Sequence, residues 1–207
     1  MKQKDYLKDL SEIKSIMNRS TRFMSLSGLS GILAGIYSLI GGGMAYFLLK
    51  GMNTTDSYSY IETVGHLEIK LIAIAIIVAG LSISTGYILT RKKAVKNNEK
   101  MWTPVSKQLL ESFIIPLLTG GILALMLINK GYYGLIAPTT LIFYGMALLN
   151  ASKFTFSNVK YLAFAEIILG LLSFWFFGKG LFFWILGFGV LHIIYGAAMY
   201  NNEKKTN

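Results

Sequence analysis

The chain has 207 residues, of which 54% are hydrophobic and only 14% charged, with a net charge of +10 at neutral pH. A soluble globule of this size has too little polar surface to cover so much apolar side chain, and a mean hydropathy of +0.53 points to lipid as the solvent. Cysteine is absent, which excludes disulfides, a thiolate nucleophile and Cys-ligated metal centres; the basic residues lie between apolar runs, which argues for membrane topology rather than nucleic acid.

Residues 1–22 read as a cytoplasmic amphipathic helix. Tyr6, Leu10, Ile13 and Met17 recur at helical spacing, and Lys8, Lys14 and Arg19 supply positive charge. The expected partner is the anionic lipid of the inner leaflet, with a cytoplasmic protein as the alternative. The apolar run that follows is too long for a cleavable signal, and no small-residue cleavage site closes a short hydrophobic core.

Six apolar runs follow, at 23–49, 67–90, 109–128, 132–150, 159–177 and 181–200. A helix needs about 20 residues to cross the hydrocarbon layer, and lipid offers the backbone no hydrogen-bond partner, so each run must be helical. The fold class expected is all-α: a polytopic membrane protein with six transmembrane helices over 23–200 and a cytoplasmic tail at 201–207. Sixteen of the 20 lysines and arginines fall at the N-terminus, after the second and fourth runs, and at the C-terminus. That asymmetry predicts that both termini are cytoplasmic.

A glycine pattern recurs. Gly31-Ile-Leu-Ala, Gly121-Ile-Leu-Ala and Gly170-Leu-Leu-Ser lie within the odd-numbered runs, each with a second glycine ten residues on, at Gly41, Gly131 and Gly180. Gly86, Gly145 and Gly196 mark the returning runs. The pattern predicts an in–out–in hairpin used three times about an axis along the membrane normal. Ser27, Gly31 and Gly35 form a small-residue stripe on the first run, and these residues with Gly86, Gly121, Gly145, Gly170 and Gly196 are the expected helix-packing positions. Such a stripe suits contact within the chain or between two copies of it.

The polar groups inside the runs are the candidate site. Glu166 and His192 lie well inside the fifth and sixth runs at similar depth. Ionisable residues there face a cavity or one another, so this pair could relay a proton or bind a small ligand. A structural clamp between two helices is the plainer alternative. Ser82, Thr85, Thr139 and Thr140 are expected to line a cavity or to bond their own helices. Pro116 and Pro138 are expected to interrupt the third and fourth helices. No cofactor or metal is implied.

Gly28-Leu29-Ser30-Gly31 is similar to the G-x-S-G of rhomboid proteases, and His192 is in the sixth run. Yet the motif sits in the wrong span, near the cytoplasmic end, and lacks the rest of the rhomboid signature. Three repeated hairpins are also found in mitochondrial carriers, but the carrier Pro-x-[Asp/Glu]-x-x-[Lys/Arg] motif is missing. The stretch from Arg19 to Gly31, RSTRFMSLSGLSG, with Ala34-Gly35-Ile36-Tyr37 after it, resembles the opening of a family of uncharacterised small six-span bacterial membrane proteins. The resemblance implies a multi-pass protein of the bacterial cytoplasmic (inner) membrane and carries over no catalytic residue. The expected function is non-enzymatic transport or sensing of a small solute or protons. A membrane scaffold or regulator is the second reading, and an intramembrane hydrolase built on Ser30 and His192 the remote third.

Overall fold

The computed structural model describes residues 27–51, 57–155 and 158–206, with the backbone path alone for 57–65 and 203–206. The expected amphipathic helix at 1–22 lies outside the described residues. Among those described there is no strand. The elements are α1 (Gly28–Lys50), α2 (Ser57–Lys96), α3 (Pro104–Asn129), a 3-10 turn (Tyr133–Leu135), α4 (Ile136–Ala151), α5 (Val159–Trp175), α6 (Gly180–Trp184), a π turn (Ile185–Leu191) and α7 (His192–Thr206).

Among the described residues five helical stretches are long and apolar enough to cross a membrane: Gly28–Lys50, His66–Lys96, Pro104–Asn129, Tyr133–Ala151 and Gly180–Asn202. The remaining apolar run, the fifth at 159–177, forms the 17-residue α5. At 1.5 Å per residue that helix is about 26 Å long, a few ångströms short of the hydrocarbon thickness. The fold is therefore all-helical with five helices of spanning length, a coarser statement than six crossings.

Local signals set the ends. Thr103 accepts from Ser106 N, and the Ser106 hydroxyl accepts from Thr103 N, a reciprocal cap with Pro104 in the first turn. At the other end of α3, Gly131 has φ +76°. Gly131 N donates to Ile128 O and Tyr132 N to Leu127 O, the pairing that ends a helix on a left-handed glycine. Pro116 sits inside α3, which stays helical on both sides of it. Pro138 does not interrupt α4; it occupies the helix's first turn, where its missing N–H leaves no gap in the ladder. The second run extends far beyond 67–90, because nothing from Ser57 to Lys96 is a proline and the 40 residues hold one helix. α7 likewise carries the helix through most of the expected tail.

Packing follows the glycines, though not as three equal hairpins. α1 pairs with α2, and α3 with α4. α5, however, packs mainly along α4, and α7 packs along α1, while α5 only touches α6 and the π turn. A Cβ on Gly196 would fall 2.5 Å from Ile32 N, and one on Gly28 would fall 2.4 Å from Tyr200 N, so α1 and α7 meet backbone to backbone. Gly31 and Gly35 lie in the same seam, against Gly196 and Gly189; Ser27, at the start of α1, accepts from the Ser30 hydroxyl at 2.6 Å. Gly145 faces Ala163 and Ile167, and Gly170 faces Pro138 and Ile142, which seats α4 on α5. Two expected packing positions fail: neither Gly86 nor Gly121 has any atom within 4 Å of where a Cβ would stand. The reason is that α2 packs mainly along α1 and α3 along α4, so the sides bearing these glycines are not packed on another described helix. The ten-residue partners also differ in role. Gly41 packs on Val78, Gly131 ends a helix, and Gly180 starts one.

Candidate functional site

α5 turns one buried face toward the centre, made of Leu162, Ala163, Glu166, Gly170 and Ser173. The 3–4 residue spacing puts these on one side of the helix. Glu166 is 0% exposed and Ser173 2%. Opposite them the chain enters the π turn, where the wider winding carries Gly187 and Gly189 inward. A Cβ on Gly187 would stand 2.5 Å from Glu166 Oε2 and 2.6 Å from Leu141 Cδ2. Glycine here makes the space that the carboxyl group occupies.

His192 follows the π turn and is 7% exposed. Its Nδ1 lies 3.0 Å from Gly187 O and 3.4 Å from Glu166 Oε1. A carbonyl oxygen only accepts, so Nδ1 carries a proton. In the neutral ring Nε2 then accepts, and the Tyr144 hydroxyl donates to it across 2.8 Å. The result is a chain running Tyr144, His192, Glu166, from α4 through α7 to α5. Among the described residues neither Glu166 oxygen has a hydrogen-bond partner, and the same holds for Ser173 Oγ. A carboxyl group so placed forgoes the several hydrogen bonds water would give it, at a cost of several kcal/mol if it is charged.

Aromatic rings wall the chain on one side. Phe188 stacks on His192 with centroids 6.0 Å apart, and Tyr144 lies 4.9 Å from Phe188. Phe113 of α3 meets Tyr144 edge-on at 6.0 Å, and Trp184 meets Phe188 at 5.0 Å. These four rings are half-buried.

The expected lining residues do not join this cluster. The Ser82 hydroxyl donates to Val78 O, Thr85 to Leu81 O and Thr140 to Ile136 O, each satisfied by its own helix. Thr139 is half-buried beside Thr140. The Ser30–His192 dyad is not assembled, since Ser30 donates to Ser27 O and both His192 nitrogens are engaged elsewhere. Among the described residues no three His, Asp or Glu side chains are grouped as a metal site. Tyr144 and Gly187 are the members that reading the sequence missed. In the sequence Tyr144 only precedes Gly145, one of the glycines of the returning runs, and Gly187 is one of 21 glycines. No protein-family model matches this chain, and neither a curated protein nor a solved structure is similar to it.

Proposed function

We propose that this chain is a non-enzymatic, multi-pass protein of the bacterial cytoplasmic membrane, crossing six times with both ends inside, that transports or senses a small solute or protons at Tyr144, His192 and Glu166. One observation carries the reading: a fully buried carboxyl group without a hydrogen-bond donor stands 3.4 Å from an imidazole whose far nitrogen is held by a tyrosine hydroxyl. Ionisable groups in a membrane interior mark ligand or proton paths by default. A proton reaching Nε2 through the Tyr144 hydroxyl gives an imidazolium with two N–H groups. The Nδ1 proton can then pass to Glu166 Oε1, leaving the ring neutral and the carboxyl protonated. The basic residues Arg91, Lys92, Lys96, Lys100 and Lys107 at the α2–α3 turn are exposed or nearly so, which supports a cytoplasmic placement of that end.

The experiment is a comparison of wild type with Glu166→Gln and His192→Ala. In liposomes with an internal pH dye, wild type relaxes an imposed proton or solute gradient and both variants lose at least ten-fold in rate. A thermal-shift screen of metabolites in detergent supplies the sensing arm, with a ligand shift seen in wild type and absent in Glu166→Gln. Equal behaviour of wild type and variants in both assays overturns the reading. A second reading draws on the exposed basic turn: a scaffold that holds a cytoplasmic partner through that turn and residues 1–22. It predicts that both site variants are tolerated while deletion of residues 1–18 abolishes partner binding.

A further inference from the structure

The apolar part of α2 ends at Thr90, but the helix continues to Lys96. The residues just past the apolar part are therefore held in register with those inside it. From Tyr87 to Lys107 the chain has six lysines and arginines against a single acid, Glu99. Tyr87, Ile88, Arg91, Lys92 and Val95 line a cavity of about 350 Å³ on this part of the helix. All five are exposed. Among the described residues no ion pair engages Arg91 or Lys92.

Arg91 and Lys92 are consecutive, so they stand about 100° apart around the helix axis. On the same count Ile88 and Val95 fall between them, and so do Ile77, Leu81 and Ser84 deeper in the apolar part. The cavity thus has an apolar floor with a cation on either side. The floor continues toward the hydrocarbon as an open strip, with Ile77 58% exposed and Leu81 47%. The contact of α2 with α1 is made elsewhere on the helix, where Ile74 and Val78 meet Gly41. Tyr87 adds a phenol O–H donor at the level where tyrosines gather in membrane proteins.

A guanidinium fork beside an ammonium group suits a phosphate. A soluble phosphate would leave the apolar floor unused, whereas a phospholipid uses both parts. The chain's own residues 1–22 have the wrong charge balance to fill the place, with six lysines and arginines against Asp5, Asp9 and Glu12. We propose that the cavity binds an anionic phospholipid of the cytoplasmic leaflet. The phosphodiester sits between Arg91 and Lys92, Tyr87 donates to it, and one acyl chain lies along Ile88, Ser84, Leu81 and Ile77. The attraction is that of any basic patch for an anionic leaflet, focused here at one place on the helix. The site is separate from the Tyr144–His192–Glu166 chain. It shares with the proposed function only the placement of this end of α2 at the inner leaflet.

The test is native mass spectrometry of the full chain released from a neutral detergent, titrated with dioleoylphosphatidylglycerol or dioleoylphosphatidylcholine. A micelle leaves both ends of the protein accessible, so the result depends on neither topology nor transport. Wild type is expected to take up phosphatidylglycerol saturably and at least ten-fold more tightly than phosphatidylcholine. Arg91→Gln/Lys92→Gln is expected to weaken that uptake at least ten-fold. Lys96→Gln/Lys100→Gln removes the same charge outside the cavity and is expected to change it less than two-fold. Equal loss in the two double variants means diffuse attraction and overturns the site. Equal uptake of the two lipids overturns the recognition of the head. Displacement of the lipid by millimolar inorganic phosphate, but not by chloride of the same ionic strength, makes a soluble anion the ligand and overturns the lipid. A second arm identifies the occupant in cell membranes. Irradiated Ile88→p-benzoylphenylalanine is expected to cross-link to phospholipid, and capture of residues 1–22, a second copy or another protein in its place overturns the proposal.

Discussion

The molecule's two halves use the same glycines to opposite effect. In the α4–α5 and α1–α7 seams, Gly145, Gly170, Gly28 and Gly196 bring helices together so closely that a methyl group would collide. At α2 and α3, Gly86 and Gly121 stand beside empty space. Burial follows: 33% of the apolar stretch in α4 is buried within the chain, against 6% in α2 and 11% in α3. Van der Waals packing at small residues is what holds helices together when lipid competes for every apolar surface. A glycine therefore permits a close contact without dictating one. The tightly packed half carries the polar chain.

The contrast can be broken most severely at the polar chain. His192→Ala removes the group nearest Glu166 and the acceptor of the Tyr144 hydroxyl. Leaving a buried polar group unpartnered costs about 1–3 kcal/mol, and the lost imidazole leaves a cavity besides. The expected outcome is the largest fall in apparent melting temperature of any variant here, read by thermal shift in detergent. A fall no greater than that of an exposed control such as Ile83→Ala would show that the pair does not hold the packed half together.

The next effects are steric. In Gly196→Ala the new methyl group meets the backbone of Ile32, Gly28 and Gly31, all under 3.0 Å. Backbone cannot rotate away as a side chain can, so α1 and α7 must separate, at about 1–3 kcal/mol. Gly187→Ala is expected to cost less, since its methyl group meets only the ends of side chains, Glu166 Oε2 and Leu141 Cδ2, which can give way. The two differ in what relieves them. Trimming the carboxyl group in Gly187→Ala/Glu166→Ala is expected to recover part of the loss, a coupling of about 0.5–3 kcal/mol in a double-mutant cycle. Glu166→Ala should leave Gly196→Ala as damaging as before. Strict additivity in both cycles would mean that Gly187 does not make room for Glu166.

How far the sequence revealed this arrangement depends on which physical signal each part leaves. Apolar length left a strong one, so the helices and their rough limits were legible, and so were Glu166 and His192, because an ionisable side chain stands out in an apolar run. The extent of α2 was not legible, since polar residues at either end continue a helix without any change of pattern. The π turn was invisible because one extra residue per turn alters hydrogen bonding and not composition. Tyr144 was hidden by its residue type, tyrosine being common near membrane interfaces. The three-hairpin expectation joined residues by sequence spacing, whereas α7 found α1 and α5 found α4 through surface shape, which one chain's spacing does not encode.

The smallest effect is also the one that separates the two halves most cleanly, because its sign should reverse. Glycine inside a helix costs about 0.5–1 kcal/mol relative to alanine, through the backbone freedom it loses on folding. In the packed seams that gain is overwhelmed by collision. At Gly121 and Gly86 nothing stands in the way, so Gly121→Ala and Gly86→Ala are each expected to raise stability by up to about 1 kcal/mol, seen as a small upward thermal shift. The pair of signs, positive at Gly121 and negative at Gly196, cannot come from helix propensity alone, which is the same at both. A loss of stability at Gly121 as large as that at Gly196 would mean that a helix does cover it in the bilayer, from this chain or from a second copy.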